Sequence, residues 1–346
     1  MNKILVLVLM VAFVTAFATN ASADIIDVGP DGVPGTGDEG QGSGTYYQYS
    51  SFTVGSSAYL GGGDVDAYGN RLYVNRDGTN LDVYDVTLND TDGDGAYEPD
   101  QHPLNPDATG PMESRTLTYV TSYSLPQLAT ATVGEIYAAA DRVYFLGDRY
   151  LPGNDRGDIW QYVLGTGVLS KVVDSSSDFN LSHLGYDDVN SKWYGMNESG
   201  NTVYGWSGSS WQTEFSYSSL GGGHPDGLEV VTDPDSGIPY VYVSEMTSDY
   251  IGQWRYDTDT STWVEQNLFQ YTGTFGNVEG MGFGALGHFW ATTGFANGGT
   301  LYEIGGGDLG GYIPPDPEVI PVPGAFLIGS IGLAVSSWRL RRRKEL

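Results

Sequence analysis

An aromatic strand returns along this chain at a nearly fixed interval, and that interval limits the folds open to it. The stretches RLYVN, RVYFLG, KWYGMN, YVYVSEM and HFWATT centre on Tyr73, Tyr144, Tyr194, Tyr242 and Trp290, spaced by 71, 50, 48 and 48 residues. Each follows a strand of glycines and small apolar residues (GDVDAYG, VGEIYAAA, HLGYDD, DGLEVV, VEGMGFG). Each is followed 10 to 18 residues later by a second aromatic strand, centred on Tyr84, Tyr162, Tyr204, Tyr256 or Tyr302. Four copies then end in an alternating strand such as RTLTYVTSYSL or WQTEFSYS. Four strands at this period predict the blade of an all-β propeller, in which each repeat buries its faces only against its neighbours. A β-sandwich is the competing architecture, but it gives no reason for a 48-residue period to persist.

The fifth copy lacks a fourth strand after Ile304, and one is spare before the first copy, TYYQYSSFTV. An N-terminal strand, Tyr46 to Val54, that completes the last blade closes the ring and removes an exposed edge, so five blades over residues 45–307 are expected. Six blades, with a degenerate N-terminal one, is the alternative. The long first interval is explained by an acidic insertion from Thr87 to Gly110. Residues 24–44 form a Gly-rich acidic leader, and the Gly- and Pro-rich residues 308–318 read as a linker.

There is no cysteine, which removes disulfides, thiolate catalysis and Cys-ligated zinc. Setting aside Lys3 and the five C-terminal cations leaves nine of the 15 Lys and Arg between Asp24 and Pro317, against 41 of the 43 Asp and Glu. That body carries a net −32 and is unsuited to nucleic acid or an anionic membrane surface. Fifty glycines and 25 tyrosines favour short strands and turns over helices.

The two ends read as addresses. Lys3, the apolar run from Ile4 to Phe17, and Ala21 and Ala23 around Ser22 form a secretory signal peptide, residues 1–23, cleaved after Ala23. At the other end, about 20 residues from Ile320 to Leu340 are long enough to span a hydrocarbon core. Trp338 then lies at the interface, and Arg339, Arg341, Arg342, Arg343 and Lys344 on the cytoplasmic side. The order of Pro321-Val322-Pro323, a short Gly-containing apolar helix and the cluster Arg341, Arg342 and Arg343 resembles the PEP-CTERM sorting signal of exported bacterial proteins. The resemblance covers residues 319–346 and departs from the family in having Val322 where a Glu is usual. It implies an exosortase-type processing enzyme as partner, transient membrane anchoring, and delivery to the outer cell surface or its exopolysaccharide. A plain membrane anchor is the competing reading.

Three places carry candidate chemistry. In NDTDGDGAYEPDQ, Asp90, Asp92 and Asp94 alternate before Gly95, with Glu98 and Asp100 beyond, so a tight turn aims several carboxylates at one hard cation. The D-x-D-x-D-G core resembles the calcium loops of EF-hands, dockerins and thrombospondin type 3 repeats. Gln101 replaces the bidentate Glu of an EF-hand, which points to an extracellular type of calcium loop. Asp27, Asp31, Asp38 and Glu39 in the leader form a looser second acidic loop. At the propeller axis, aligning the inner strands brings Asp66, Glu135, His183, Asp226 and Glu279 to one mouth of the channel, where they either share a metal or face solvent. HPDGLEV and NVEGMGF resemble inner-strand motifs of gluconolactonase-type and phytase-esterase-like propellers, and the lactonase-type resemblance implies convergent carboxylates that hold a divalent metal. No G-x-S-x-G, H-E-x-x-H or phosphate loop occurs, and His102, His183, His224 and His288 are scattered. Trp206, Trp211 and Trp254 suit either sugar stacking or blade packing.

The expected function is a non-catalytic, calcium-stabilised propeller at the cell surface that binds polysaccharide or protein. A metal-dependent hydrolase of the lactonase or phosphoesterase type is the alternative.

Overall fold

The computed structural model describes residues 46–54, 65–75, 80–91, 113–124, 136–146, 157–175, 179–220, 223–232, 236–245, 250–272, 279–292 and 300–306. They form a five-bladed propeller of four-stranded antiparallel blades. Blade 1 is β2 (Val65–Tyr68), β3 (Arg71–Asn75), β4 (Asn80–Asn89) and β5 (Ser114–Ser124). Blade 2 is β6 (Ile136–Ala139), β7 (Arg142–Leu146), β8 (Ile159–Val163) and β9 (Val168–Val173). Blade 3 is β10 (His183–Asp187), β11 (Lys192–Met196), β12 (Thr202–Trp206) and β13 (Trp211–Ser216). Blade 4 is β14 (Pro225–Thr232), β15 (Pro239–Glu245), β16 (Tyr250–Asp257) and β17 (Thr262–Thr272). Blade 5 is β18 (Glu279–Phe283), β19 (Phe289–Thr292), β20 (Thr300–Gly306) and, as its outermost strand, β1 (Tyr46–Thr53).

The period follows from packing. The repeated aromatic sits on the second strand of each blade, and Tyr73, Tyr194, Tyr242 and Trp290 are fully buried while Tyr144 is half-buried. Among the described residues the core divides into five apolar clusters, one per blade interface. Tyr73, Leu81 and Val83 meet Ile136, Ala138 and Phe145 between blades 1 and 2. Leu146, Ile159 and Val173 meet Leu181, Leu184 and Trp211 between blades 2 and 3. Tyr194 and Met196 meet Leu228, Val230 and Trp254, and Tyr242 meets Met281, Phe283 and Phe289. The fifth cluster joins Val65, Leu72 and Val74 of blade 1 to Ala285, Leu286, Trp290 and Leu301 of blade 5, so the ring is closed. Burial falls outward: β3 is almost wholly buried, whereas the outermost β5 alternates between exposed and half-buried residues. The glycines of the inner strands allow this convergence. At Gly282 a Cβ would collide with the backbone of Asp66, and at Gly185 it would lie 2.8 Å from Val230.

Closure is double. β1 pairs antiparallel with β20 from Tyr46↔Gly306 to Thr53↔Thr300, and its first two residues also pair in parallel with Tyr271 and Thr272 of β17, joining blades 4 and 5 at their rims. A buried polar network reinforces it. Glu303 of β20 is wholly buried and accepts from Arg115 Nε of β5 at 3.0 Å and from Ser50 Oγ of β1, while His288 Nδ1 lies 2.7 Å from the same carboxylate. Arg115 also lies over the Tyr49 ring, at 5.5 Å from its centroid. Blade 5, blade 1 and the closing strand thus share one ion cluster.

Two expectations shift in detail. The closing strand ends at Thr53, and the first-blade hairpin extends to Asn89↔Ser114, so the insertion spans residues 90–113 rather than 87–110, with Thr87 still paired to Thr116. All five inner strands begin at the same end of the ring, here the mouth; the opposite end is the base. The signal segment, the leader, the linker and residues 319–346, with Ala21, Ala23, Pro321, Val322, Pro323, Arg341, Arg342 and Arg343, lie outside the described residues. Among the described residues no helix is long and apolar enough to cross a membrane.

Candidate functional site

The mouth is built from the first residues of the inner strands and from the loops between second and third strands, because both lie at that end of every blade. His183 opens β10 opposite Met196, and Pro225 opens β14 opposite Glu245. His183 is buried, and its Nε2 lies 3.6 Å from Asp226 Oδ1 across the blade 3–4 interface. On the outer side of Asp226 stands His224, whose Nε2 is 3.9 Å from Asp226 Oδ2 and 2.9 Å from Glu198 Oε1. The His224 amide donates to Glu245 Oε1 at 2.5 Å. Imidazole and carboxylate therefore alternate from His183 through Asp226 and His224 to Glu198, offering both donors and acceptors to a polar ligand.

A cavity of about 330 Å³ opens beside this row, lined by Ser199, Asn201, Tyr217, Ser218, Leu220 and Glu245 among others. Its walls are held from below: Asn201 Nδ2 donates to the Tyr217 carbonyl, and the Tyr217 ring packs on Trp254 with centroids 4.9 Å apart. The polar rim and apolar floor suit a ligand with hydroxyls on its edge and an apolar face.

Of the five residues expected at the axis, the structure brings His183 and Asp226 together. Asp66 is turned to another task. Its Oδ1 accepts the Ala67 amide at 2.7 Å and its Oδ2 accepts the Ala138 amide of blade 2 at 2.5 Å. Glu229 repeats the arrangement between blades 4 and 5, with Oε1 on the Val230 amide at 2.9 Å and Oε2 on the Phe283 amide at 3.3 Å. These inner-strand carboxylates clamp neighbouring blades through backbone N–H groups. Near them, burial and then the negative charges of Asp188, Asp66 and Glu229 push the Tyr137 phenol well up, so it stays a protonated donor. Glu279 is the first residue of β18, opposite Thr292, and Glu135 lies outside the described residues.

The acidic insertion leaves the body between Asn89 and Ser114, where Asn89 Nδ2 bonds Ser114 Oγ and Thr116 Oγ1 at 3.1 and 3.0 Å. Asp90 is exposed at the end of β4, while Asp92, Asp94, Glu98 and Asp100 lie outside the described residues, as do Asp27, Asp31, Asp38 and Glu39. Among the described residues no group of three or more His, Asp or Glu is arranged to hold a metal ion. Two of the three tryptophans are packing residues: Trp211 and Trp254 are buried, and Trp211 Nε1 donates to the Gly157 carbonyl at 3.0 Å. Trp206 packs partly buried against Trp211.

Sequence reasoning passed over Glu198, His224, Glu229 and Glu245 as site residues. A usable signal existed for Glu198 and Glu245, since both follow or end the second strand of a blade, which always delivers its next loop to the mouth.

No family model matches this chain. No curated protein does either. Remote structural likenesses exist. A calcium-binding protein, regucalcin, from Agrobacterium tumefaciens is 11% identical, with a TM-score of 0.42, over 79% of this chain and 98% of its own. A luciferin-regenerating enzyme is 11% identical, with a TM-score of 0.40, over 74% of this chain and 94% of its own. A chain of a nidogen/laminin complex is 12% identical, with a TM-score of 0.35, over 67% of this chain and 70% of its own. What those proteins bind or catalyse is a property of theirs.

Proposed function

We propose that this is an exported propeller, directed to the outer cell surface or exopolysaccharide by its C-terminal tail, that binds a polyhydroxylated ligand at the mouth between blades 3 and 4. The observation that supports this most is the cavity beside the His183–Asp226–His224–Glu198 row, lined by hydroxyl, amide and carboxylate groups together with the buried Leu220 and Tyr217. Polysaccharide is the ligand class such a lining fits, since sugars combine hydroxyl edges with apolar faces. Calcium in the Asp90–Asp100 insertion stabilises the body, and residues 319–346 serve as a sorting label read by an exosortase-type enzyme.

Calorimetric titration of the protein with a panel of polysaccharides, including the exopolysaccharide of its host, tests the binding reading. Ser199 and Ser218 are exposed at the cavity rim. Ser199→Trp and Ser218→Trp should therefore fill the opening and abolish binding without moving the melting temperature. Binding that survives both substitutions would place the ligand elsewhere.

The second reading, a metal-dependent hydrolase, draws on the approach of His183 to Asp226. A divalent ion held there would polarise a lactone carbonyl or phosphoester oxygen. Metal titration of wild type against His183→Asn tests it, and equal binding by both proteins removes this reading.

A further inference from the structure

The cavity between blades 3 and 4 has a sign as well as a shape. Its lining includes the carboxylate of Glu245 and no Lys or Arg. Glu245 is almost wholly buried at the end of β15, where one oxygen accepts the His224 amide. An ionised carboxylate offers about four acceptor positions, and one amide fills one of them. Its charge is felt within the cavity wall: burial first, and then Glu245, push the Tyr217 phenol up, so Tyr217 stays a protonated hydroxyl. Two more carboxylates adjoin the lining. Asp226 follows Pro225 and Glu198 precedes Ser199, with His224 between them at 3.9 and 2.9 Å. The ion pairs of Arg71, Arg115, Arg142, Lys171 and Lys192 lie elsewhere, with Asp85, Glu303, Asp141, Asp158 and Glu214.

We infer that the polysaccharide bound at the blade 3–4 mouth is an amino-sugar polymer with free amines, whose ammonium group sits against Glu245 while its hydroxyls meet Ser199, Asn201 and Ser218. This rests on the polysaccharide-binding part of the proposed function. A cavity of about 330 Å³ lies at the small end of ligand pockets and takes a short stretch of such a chain. An ammonium offsets the cost of a buried carboxylate. A uronic acid would instead set its own carboxylate beside Glu245, Asp226 and Glu198 with no cation of the lining to offset it. An N-acetylated sugar has no charge to offer. The net −32 of the body acts in the same direction at longer range, drawing in a polycation and repelling a polyanion. A lysine-rich protein segment shares the ammonium, but its side chains bring no hydroxyls to Ser199, Asn201 and Ser218.

Calorimetric titration of the full chain with tetramers of glucosamine, N-acetylglucosamine, galacturonate and lysine tests this. Tetraglucosamine should bind more tightly than its acetylated counterpart and than tetralysine by about tenfold, the weight of one hydrogen bond to a charged group. Tetragalacturonate should give no heat of binding. Glu245→Gln keeps an acceptor for the His224 amide and removes the charge, so it should weaken tetraglucosamine by about the same factor and leave the acetylated tetramer unchanged. Because Glu245 is buried, a melting curve checks that this variant folds, and Glu198→Gln, exposed at the rim, gives a second reading with a smaller loss of the same kind. Equal affinity for the amine and acetylated tetramers, or tightest binding of tetragalacturonate, would overturn the inference and leave the polysaccharide reading standing. So would an amine preference that survives Ser218→Trp or is untouched by both Gln variants, since the amine would then be held elsewhere on the acidic body. Tetralysine binding as tightly as tetraglucosamine would overturn it in favour of a basic peptide. Failure of every saccharide to bind would remove the polysaccharide reading and the inference together.

Discussion

Glu303 shows how one side chain can decide whether the ring holds. Burial acts to raise its carboxyl pKa. The hydrogen bond and charge of His288, the charge of Arg115 and the Ser50 hydroxyl more than offset that and hold it below the usual carboxylate range. A carboxyl whose folded pKa is depressed contributes stability above its unfolded pKa, near 4.3 for Glu, and loses it as pH falls through the folded value. Glu303→Gln leaves Arg115 buried without its carboxylate, so an equilibrium denaturation loss of about 3 to 5 kcal/mol is expected at neutral pH. The gap between the two proteins should begin to narrow as pH falls below about 4.3, where the carboxyl of the unfolded chain takes up its proton first, and close as pH passes the depressed folded value of Glu303. A constant gap across the acid range would mean that the charge of Glu303 is not what matters. Asp66 makes a second prediction. Asp66→Asn keeps one acceptor oxygen where two backbone N–H groups need one each, a loss of about 1 to 3 kcal/mol. Divalent metal affinity should be unchanged, and a weakened affinity would return Asp66 to an axial metal site.

At the scale of elements, the insertion between β4 and β5 lies beyond a hairpin that is sealed at its root by the Asn89↔Ser114 pair. Its calcium effect should therefore be separable from the fold. At calcium 100 times above the dissociation constant, the body gains about 2.7 kcal/mol by mass action, read as a rise in melting temperature over a chelator control. The pair Asp92→Asn and Asp94→Asn should remove that rise, and a rise that persists in full would clear this loop of the role. The blades themselves were legible because each interface needs one large aromatic from a second strand, and Tyr73, Tyr194, Tyr242 and Trp290 supply it at the blade period. The closing strand was legible as a surplus at one end matched to a deficit at the other. The duties of the inner-strand acids were not. Asp66 and Asp226 sit on equivalent strands, yet one turns sideways to the amide of Ala138 while the other faces His183. That choice depends on where a neighbouring blade leaves an N–H, a relation between strands far apart in the chain that periodicity does not carry.

For the molecule as a whole, the proposed sorting role of residues 319–346 makes the sharpest chemical forecast. In its native host, intact-mass measurement of the surface protein should give a chain lacking Arg341, Arg342 and Arg343. Finding them retained would reduce the tail to a plain anchor. The pairing of Tyr46 with Gly306 bears also on the order of events during synthesis. A chain is made and exported from its N-terminus, so the first strand of the body to appear has to wait for the last before either gains its partner. Such a distant pairing brings the reward for loop closure late and slows folding. It also tests completeness: a chain broken off before Thr300 has at most four complete blades, an unsealed rim and Ser50 with no Glu303 to receive it. The ring closes around a finished polypeptide, and unfinished ones are left open to proteolysis.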